Sequence, residues 1–517
     1  MERRIRRLGI FMVLCFVALF IQLNNIQVLK ANSLANNAEN PRVQLVERSQ
    51  TRGSILSADG VTLASSVLAP KGSVFKYQRT YDPYTATLFA QIVGFDSIKY
   101  GNFRGVEAEY NSYLTPHTRP AKTLRDLLIN RTVVDNVSLT VDTRLQSQVA
   151  AALDQHAPGV LGAAAVVLNP ATGAVEAMYS NPTYDPNPLV SQNLAKETAA
   201  WNINACPTSA NQALCAPGSP LVPGSYGQVY PPGSTFKVVT TSAVLENRPD
   251  LAKMIYPAVP SVVLPNSGTP PQVLTNYHGG VCPAPPGGNL ETLLINSCDA
   301  DFAQIGQLLG SQTLVNQAEA YGFNQHIPLD APADTVAVSN FGTTADFADD
   351  VPGLMKSAIG QQNVTASALQ MALVAGAVAN GGVEMTPHVM SQIRDSQGNL
   401  VKVYQPKAWL QPISPETANT LTTFMQGVAK SGTAAGVFPT AWNVAAKTGT
   451  AQTGSFGPNP QFTDDWLIAF APVGTTGAKV AIAVVMPKQP GDATGAKYSG
   501  PIVKQILGDV LASQATP

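Results

Sequence analysis

Charge is what this sequence lacks most. Charged residues make up 13% of 517, about half the ~25% usual in soluble domains. The balance is even, with 32 Lys+Arg against 33 Asp+Glu. So poor a charge content, beside 45% hydrophobic residues, excludes a disordered chain, which needs high charge and little core. The absence of a basic excess, with no run that would supply a basic surface, argues against nucleic acid as a partner. Five histidines and five cysteines, without the spacings of a zinc site, leave no metal or cofactor expected. No repeat at solenoid periods is present. A Gly-x-Ser-x-Gly elbow and a His-Glu-x-x-His helix are both missing, which removes two common hydrolytic schemes.

What is present begins at the N-terminus. Arg3, Arg4, Arg6 and Arg7 precede an uncharged apolar run from Leu8 to Leu23, which Ile26 can extend to membrane-spanning length. No small-x-small cleavage pattern follows. The positive-inside rule then predicts an uncleaved signal anchor with the arginines in the cytoplasm and the rest of the chain outside. This gives a tail over 1–7, a transmembrane segment over 8–26 and a single-pass protein of the cytoplasmic membrane. Outside the anchor's Cys15 stand Cys206, Cys215, Cys282 and Cys298. Four cysteines allow three pairings. Cys206–Cys215 with Cys282–Cys298 is favoured, because each pair brackets a Pro- or Gly-rich loop that a staple would order.

Residues 27–136 read as a mixed region of short strands and turns without a long amphipathic helix, a pedestal. From residue 137 the character changes. Val137–Asp142 alternates as a strand, and Thr143–His156 carries a helical stripe of Leu145, Val149 and Leu153. Gly162–Leu168 and Glu176–Tyr179 form a hairpin about the Asn169-Pro-Ala-Thr-Gly173 turn. Helices are expected over Phe236–Glu246, Glu291–Leu309 and Ala366–Ala379. Strands Trp466–Ala471 and Val480–Met486 and a last helix Pro501–Leu511 close the chain. The order suggests an α/β domain over 137–517 with a central sheet flanked by helices.

Three short patterns carry chemistry. In Tyr230-Pro-Pro-Gly-Ser-Thr-Phe-Lys237, Ser234 and Lys237 lie one turn apart on one helix face, where a desolvated amine can activate the hydroxyl. Alone the pattern is weak, since a serine at a helix start can be no more than an N-cap. Ser73-Val-Phe-Lys76 also matches, without a helical stripe behind it. The second pattern is Ser297-Cys298-Asp299. The third is Lys447-Thr-Gly-Thr450 after the apolar Val444-Ala-Ala446; its duplicate, Lys430-Ser-Gly-Thr433, reads as a loop. Ser-x-x-Lys, a Ser-x-Asn-like element and Lys-Thr-Gly in that order form a signature of penicillin-recognising serine acyltransferases.

On these residues the chain resembles the class B penicillin-binding proteins, the monofunctional peptidoglycan transpeptidases, and within them the actinobacterial penicillin-binding protein A subgroup. Arg52-Gly-Ser-Ile55, Gly105-Val-Glu107 and Tyr110 are similar to the class's pedestal motifs, and Gly360-Gln361 to its segment before the third motif. The resemblance implies an α+β transpeptidase fold, with a central antiparallel sheet flanked by helices, an all-helical subdomain and a dimerisation-type pedestal. It implies Ser234 as nucleophile, Lys237 as its base and Ser297 as proton relay. Lys447, Thr448, Gly449 and Thr450 would bind the substrate carboxylate, with the backbone N–H groups of Ser234 and Thr450 as oxyanion hole. Implied partners are stem peptides ending in D-Ala-D-Ala, an acceptor amine, β-lactams and the proteins of a division or elongation complex. One position departs: Asp299 stands where the family usually has Asn, and a carboxylate cannot donate unless protonated. Asp299 is expected near Lys237 and Lys447, raising the pKa of Lys237. Two other readings stand beside this one. A D,D-carboxypeptidase or β-lactamase would turn over by hydrolysis, but a class A deacylating Glu downstream of the second motif is missing. A non-catalytic β-lactam-binding division scaffold is favoured only by Asp299.

Overall fold

The computed structural model describes residues 2–30, 48–118, 132–205, 219–453, 462–474 and 477–515. Helix α1 (Glu2–Asn24) is exposed from Arg4 to Asn24, and Arg4–Gln27 is apolar and long enough to cross a membrane, with mean hydropathy 2.1. The pedestal follows with β1 (Ile55–Leu56), β2 (Thr62–Leu68), β3 (Tyr77–Tyr81) and α2 (Ala86–Val93). Next come β4 (Asp135–Leu139), α3 (Thr143–His156), β5 (Ala164–Leu168) and β6 (Val175–Ser180). Asp142 caps α3, its side chain accepting from the Leu145 N–H at 2.9 Å, as a helix N-cap should. The helical part contains α4 (Lys237–Asn247), a hairpin of β7 (Ser261–Val263) and β8 (Val273–Thr275), α5 (Leu290–Asn296), α6 (Asp299–Ala320), α7 (Val351–Ser357) and α8 (Ala368–Ala379). The chain closes with β9 (Met390–Asp395), β10 (Leu400–Val403), α9 (Pro415–Ser431), β11 (Ala445–Thr453), β12 (Phe462–Ala471), β13 (Val480–Pro490) and α10 (Gly495–Ala515).

The central sheet is five-stranded and antiparallel, in the order β6-β5-β13-β12-β11. Its inner strands read as unbroken apolar runs because both faces are covered. Ala164, Val166, Leu168, Ala481, Ala483 and Val485 face Leu369, Met371 and Leu373 of α8 in one core. The alternate residues Ala165, Val167, Ile482 and Val484 face Val149 and Leu153 of α3 and Ile502, Val503 and Ile506 of α10 in a second core. Period-two alternation thus survives as a choice between two apolar faces. The edge strand β11 carries the third motif.

A second sheet runs β10-β9-β4-β1-β2-β3. Strand β4 pairs with β1 in parallel (Val137 opposite Ile55) and with β9 antiparallel (Val137 opposite Ile393). The residue at which a boundary is expected, 136, therefore lies inside a strand with partners from both regions. Within the pedestal, Glu107 is fully buried and held by Arg79 at 2.6 Å, Arg52 at 2.8 Å and the Tyr81 hydroxyl at 3.0 Å. Burial alone would raise the Glu107 carboxyl, but Arg79 and Arg52 together hold it below the usual range. The motifs Arg52-Gly-Ser and Gly-Val-Glu107 thus meet as one buried ion cluster.

Candidate active site

The turn that carries Ser234 is a single 3₁₀ turn, Gly233–Phe236, running into α4. It lies so close to β11 that a Cβ on Gly233, whose φ is +52°, would sit 2.9 Å from the backbone of Thr450 and Ala451. Gly449 faces the same squeeze, 2.6 Å from the Pro232 carbonyl. Only glycine fits either place. The Gly233 N–H donates to the Gly360 carbonyl at 2.9 Å, and Trp466 Nε1 donates to the Pro231 carbonyl at 2.8 Å, fixing the turn from two sides.

The second motif is where the structure departs from the expected continuous helix Glu291–Leu309. The helix breaks at Ser297, which is left-handed (φ 59°, ψ 42°), and restarts at Asp299 with Cys298 at the cap. A covalent tether accompanies the break: Cys298 is bonded to Cys282. The Asn276 side chain also accepts the Ala300 N–H at 2.9 Å, so the segment that follows the hairpin grips the start of α6 twice. The expected Cys282–Cys298 bridge is present, whereas Cys206 and Cys215 lie outside the described residues.

These elements bring the three motifs together. Lys237 Nζ, fully buried, donates to Asp299 Oδ1 at 2.6 Å and to the Ser297 carbonyl at 2.8 Å, with Ser297 Oγ at 3.3 Å. Ser234 Oγ lies 3.5 Å from the same Asp299 oxygen. Lys447 Nζ, also buried, donates to Ser297 Oγ at 2.9 Å and to the Thr448 carbonyl at 3.0 Å. Ser297 therefore bridges the two lysines, and Asp299 bridges serine and lysine. The Thr450 hydroxyl accepts the Gly495 N–H at 3.3 Å. Ser234, Ser297, Asp299, Thr448 and Thr450 open onto one cavity of about 630 Å³, which Leu264, Leu274 and Tyr277 from the hairpin region also line.

Electrostatics follows from burial. Burial lowers the Lys237 pKa below the usual lysine value, with Asp299 and then Asp301 pushing back. Asp299 thus acts with the expected sign, and desolvation is the larger effect. Lys447 is lowered further, by burial and then by Lys237's like charge. Two neighbours escape a reading of the sequence. Asp301 is buried on the first turn of α6, near enough to Lys237 to interact, and burial pushes its carboxyl up to about 6. Its only signal is an acidic residue on a face that otherwise reads as core. Thr433, from the supposed duplicate of the third motif, lines the cavity and shares a 2.6 Å hydrogen bond with Thr448. Ser73, by contrast, sits in a pedestal turn, its hydroxyl accepting the Phe75 N–H at 3.2 Å while Lys76 lies over the Tyr77 ring.

Known proteins agree with this geometry. Residues 163–508 match the penicillin binding protein transpeptidase domain, and residues 52–133 match the penicillin binding protein A dimerisation domain. The chain therefore belongs to the penicillin-binding protein transpeptidase family, and with it to the peptidoglycan D,D-transpeptidases. It is 30% identical over 519 residues to the peptidoglycan D,D-transpeptidase PbpA of Mycobacterium tuberculosis, covering 99% of this chain and 100% of that protein. With PbpA of Mycolicibacterium smegmatis it shares 31% over 525 residues, 99% of each chain. Penicillin-binding protein A from M. tuberculosis, solved as its ceftriaxone acyl-enzyme, superposes with a TM-score of 0.77 at 30% identity, over 90% of this chain and all of that one. Its penicillin G acyl-enzyme gives 0.75 with the same identity and coverage.

Proposed function

We propose that this chain cross-links peptidoglycan stem peptides through an acyl-enzyme on Ser234. The observation carrying the reading is the unbroken set of contacts, none above 3.5 Å, joining Ser234, Asp299, Lys237, Ser297 and Lys447 at the floor of one cavity. A lysine lowered by burial offers more of its neutral amine at a given pH than a free lysine, and only that form can take a proton. Lys237 accepts the Ser234 proton as Oγ bonds to the penultimate D-alanine carbonyl. The N–H groups of Ser234 and Thr450 hold the oxyanion. Ser297, bonded to both lysines, hands a proton to the departing D-alanine nitrogen as the C–N bond breaks. An amine of a second stem then attacks the ester and releases Ser234. Thr448 and Thr450 line the cavity and, with the buried Lys447 beside them, would hold the terminal carboxylate.

Asp299 is this chain's own departure from Ser-x-Asn within a penicillin-binding protein A type of enzyme. A carboxylate only accepts, so both the Ser234 hydroxyl and the Lys237 ammonium donate to it. That holds the nucleophile beside its base while favouring the base's charged form. The apolar N-terminal helix, with its arginines inside, anchors the enzyme in the cytoplasmic membrane and leaves the catalytic domain outside. Assembly with division or elongation proteins follows from the same reading.

Intact-protein mass spectrometry after benzylpenicillin tests it. Wild type and Ser73→Ala should each gain one adduct and Ser234→Ala none. An adduct that survives in Ser234→Ala would refute the assignment.

A further inference from the structure

Lys430–Thr433 reads in the sequence as a spare copy of the third motif, yet the fold sets it between the second motif and the third. Helix α9 ends at Ser431, and Gly432 packs so tightly on the last turn of α5 that a Cβ there would lie 2.3 Å from the Ile295 carbonyl. The next N–H, that of Thr433, donates to this carbonyl at 3.2 Å. Ile295 stands two residues before Ser297. Thr433 Oγ1 then reaches Thr448 Oγ1 at 2.6 Å, and both line the cavity with Ser234. One residue therefore ties the second motif, by its backbone, to the third motif, by its side chain.

The direction of that hydrogen bond has chemical consequences. Each hydroxyl carries one proton, so the pair spends one proton on itself and keeps one for a ligand. A carboxylate has only acceptors. If Thr448 donated to Thr433, it would turn lone pairs toward an arriving anion; if Thr433 donates, the single proton of Thr448 points into the cavity. A chain of donated hydrogen bonds also polarises its last proton.

We infer that Thr433 is a specificity-determining residue for the substrate's terminal carboxylate: it donates to Thr448 and so keeps Thr448 a donor toward the cavity. This rests on the reading of Lys447–Thr450 as the carboxylate cradle. The role is distinct from anchoring, because the backbone bond to Ile295 survives every substitution except proline.

The test uses the full-length protein in detergent micelles. Acylation rate constants are measured with benzylpenicillin and with its methyl ester for wild type, Thr433→Val, Thr433→Ser and Thr448→Val. The acid-to-ester ratio is internal to each preparation and independent of folded fraction. Losing one hydrogen bond's orientation predicts about a three- to tenfold fall in that ratio for Thr433→Val, with recovery in Thr433→Ser and a fall at least as large in Thr448→Val. A wild type that discriminates, with Thr433→Val discriminating equally or Thr433→Ser failing to recover, overturns the inference while the cradle stands. A wild type that treats acid and ester alike, or a Thr448→Val without effect, takes down the cradle and the inference together.

Discussion

Replacing Asp299 by Asn removes the carboxylate bonded to Lys237. The carboxylate oxygen lies 2.6 Å from Lys237 Nζ. At an effective dielectric near 20, Coulomb attraction at that separation is about 6 kcal/mol. That is an upper bound, since the Asp299 side chain keeps 22% of its exposure and water screens it. A single opposite charge at such range typically moves a pKa by about 1–3. The sign follows from the cluster. Burial lowers Lys237, and Asp299 opposes burial, so Asp299→Asn lets Lys237 fall further and raises the neutral fraction at a given pH. Below the inflection, lowering the pKa of the base by one raises that fraction, and with it the rate, about tenfold. The expected outcome is acylation that accelerates with pH in wild type, an inflection displaced toward lower pH in Asp299→Asn, and faster acylation near neutrality. Lys237, Lys447 and Asp301 are perturbed together, so the inflection belongs to the cluster. Acylation rate constants with benzylpenicillin between about pH 6 and 9, normalised to folded fraction, decide the matter. A flat wild-type profile refutes the reasoning, and so does an Asp299→Asn enzyme that is slower at every pH.

Asp301→Asn should also move that inflection downward, by less than Asp299→Asn, because Asp301 opposes the lowering of Lys237 more weakly; an unmoved inflection would show that the two do not communicate. Burial, then Asp464, pushes Asp465 up to about 8 from an ordinary 3.8. An acid with a raised folded pKa binds its proton in the folded state where the unfolded chain has lost it, so stability falls as pH rises through about 4 to 8, by up to about 1.4 kcal/mol for each step of one in pH. Denaturant titrations should find that slope flattened in Asp465→Asn. Glu107→Ala should cost about 3–5 kcal/mol by stranding Arg79 and Arg52 without a carboxylate, seen as a lowered unfolding midpoint. Cys282 and Cys298 are 16 residues apart, so reduction should cost about 3 kcal/mol and slow acylation, because the bridge holds Ser297 and Asp299 at the break between α5 and α6; a midpoint insensitive to reductant would oppose this.

Much of the site was legible because its parts are local. Ser234 and Lys237 sit one turn apart on a helix with an apolar stripe, and Lys447 follows a strand. Proline, glycine and periodicity mark both. The helix break at Ser297 was not legible: Glu291–Leu309 is apolar at helical spacing throughout, and the partners that hold Cys298 and Ala300 at the break lie in the segment after the hairpin. Thr433 was hidden by a misleading likeness, since a second Lys-x-Gly-Thr looks redundant until α9 is folded back onto α5. The net direction of the Lys237 shift depended on burial, which a motif does not encode. The Asp299 charge was visible, but the apolar shell that outweighs it is assembled from helices tens of residues apart.

The shared sheet has a consequence for how this enzyme can be cut. A catalytic fragment begun at residue 136 would start inside β4 and lose Ile55–Leu56 from one side of it. The other side would still pair with β9. What was an interior strand becomes a free edge bearing Val137 and Leu139, both buried in the intact protein. Unpaired apolar edges template association with other chains. Such a fragment should be recovered as soluble oligomers or aggregates, whereas one begun near residue 48, keeping β1, β2 and β3, should remain a dispersed species. The pedestal, on this view, serves as the edge protector of the catalytic domain.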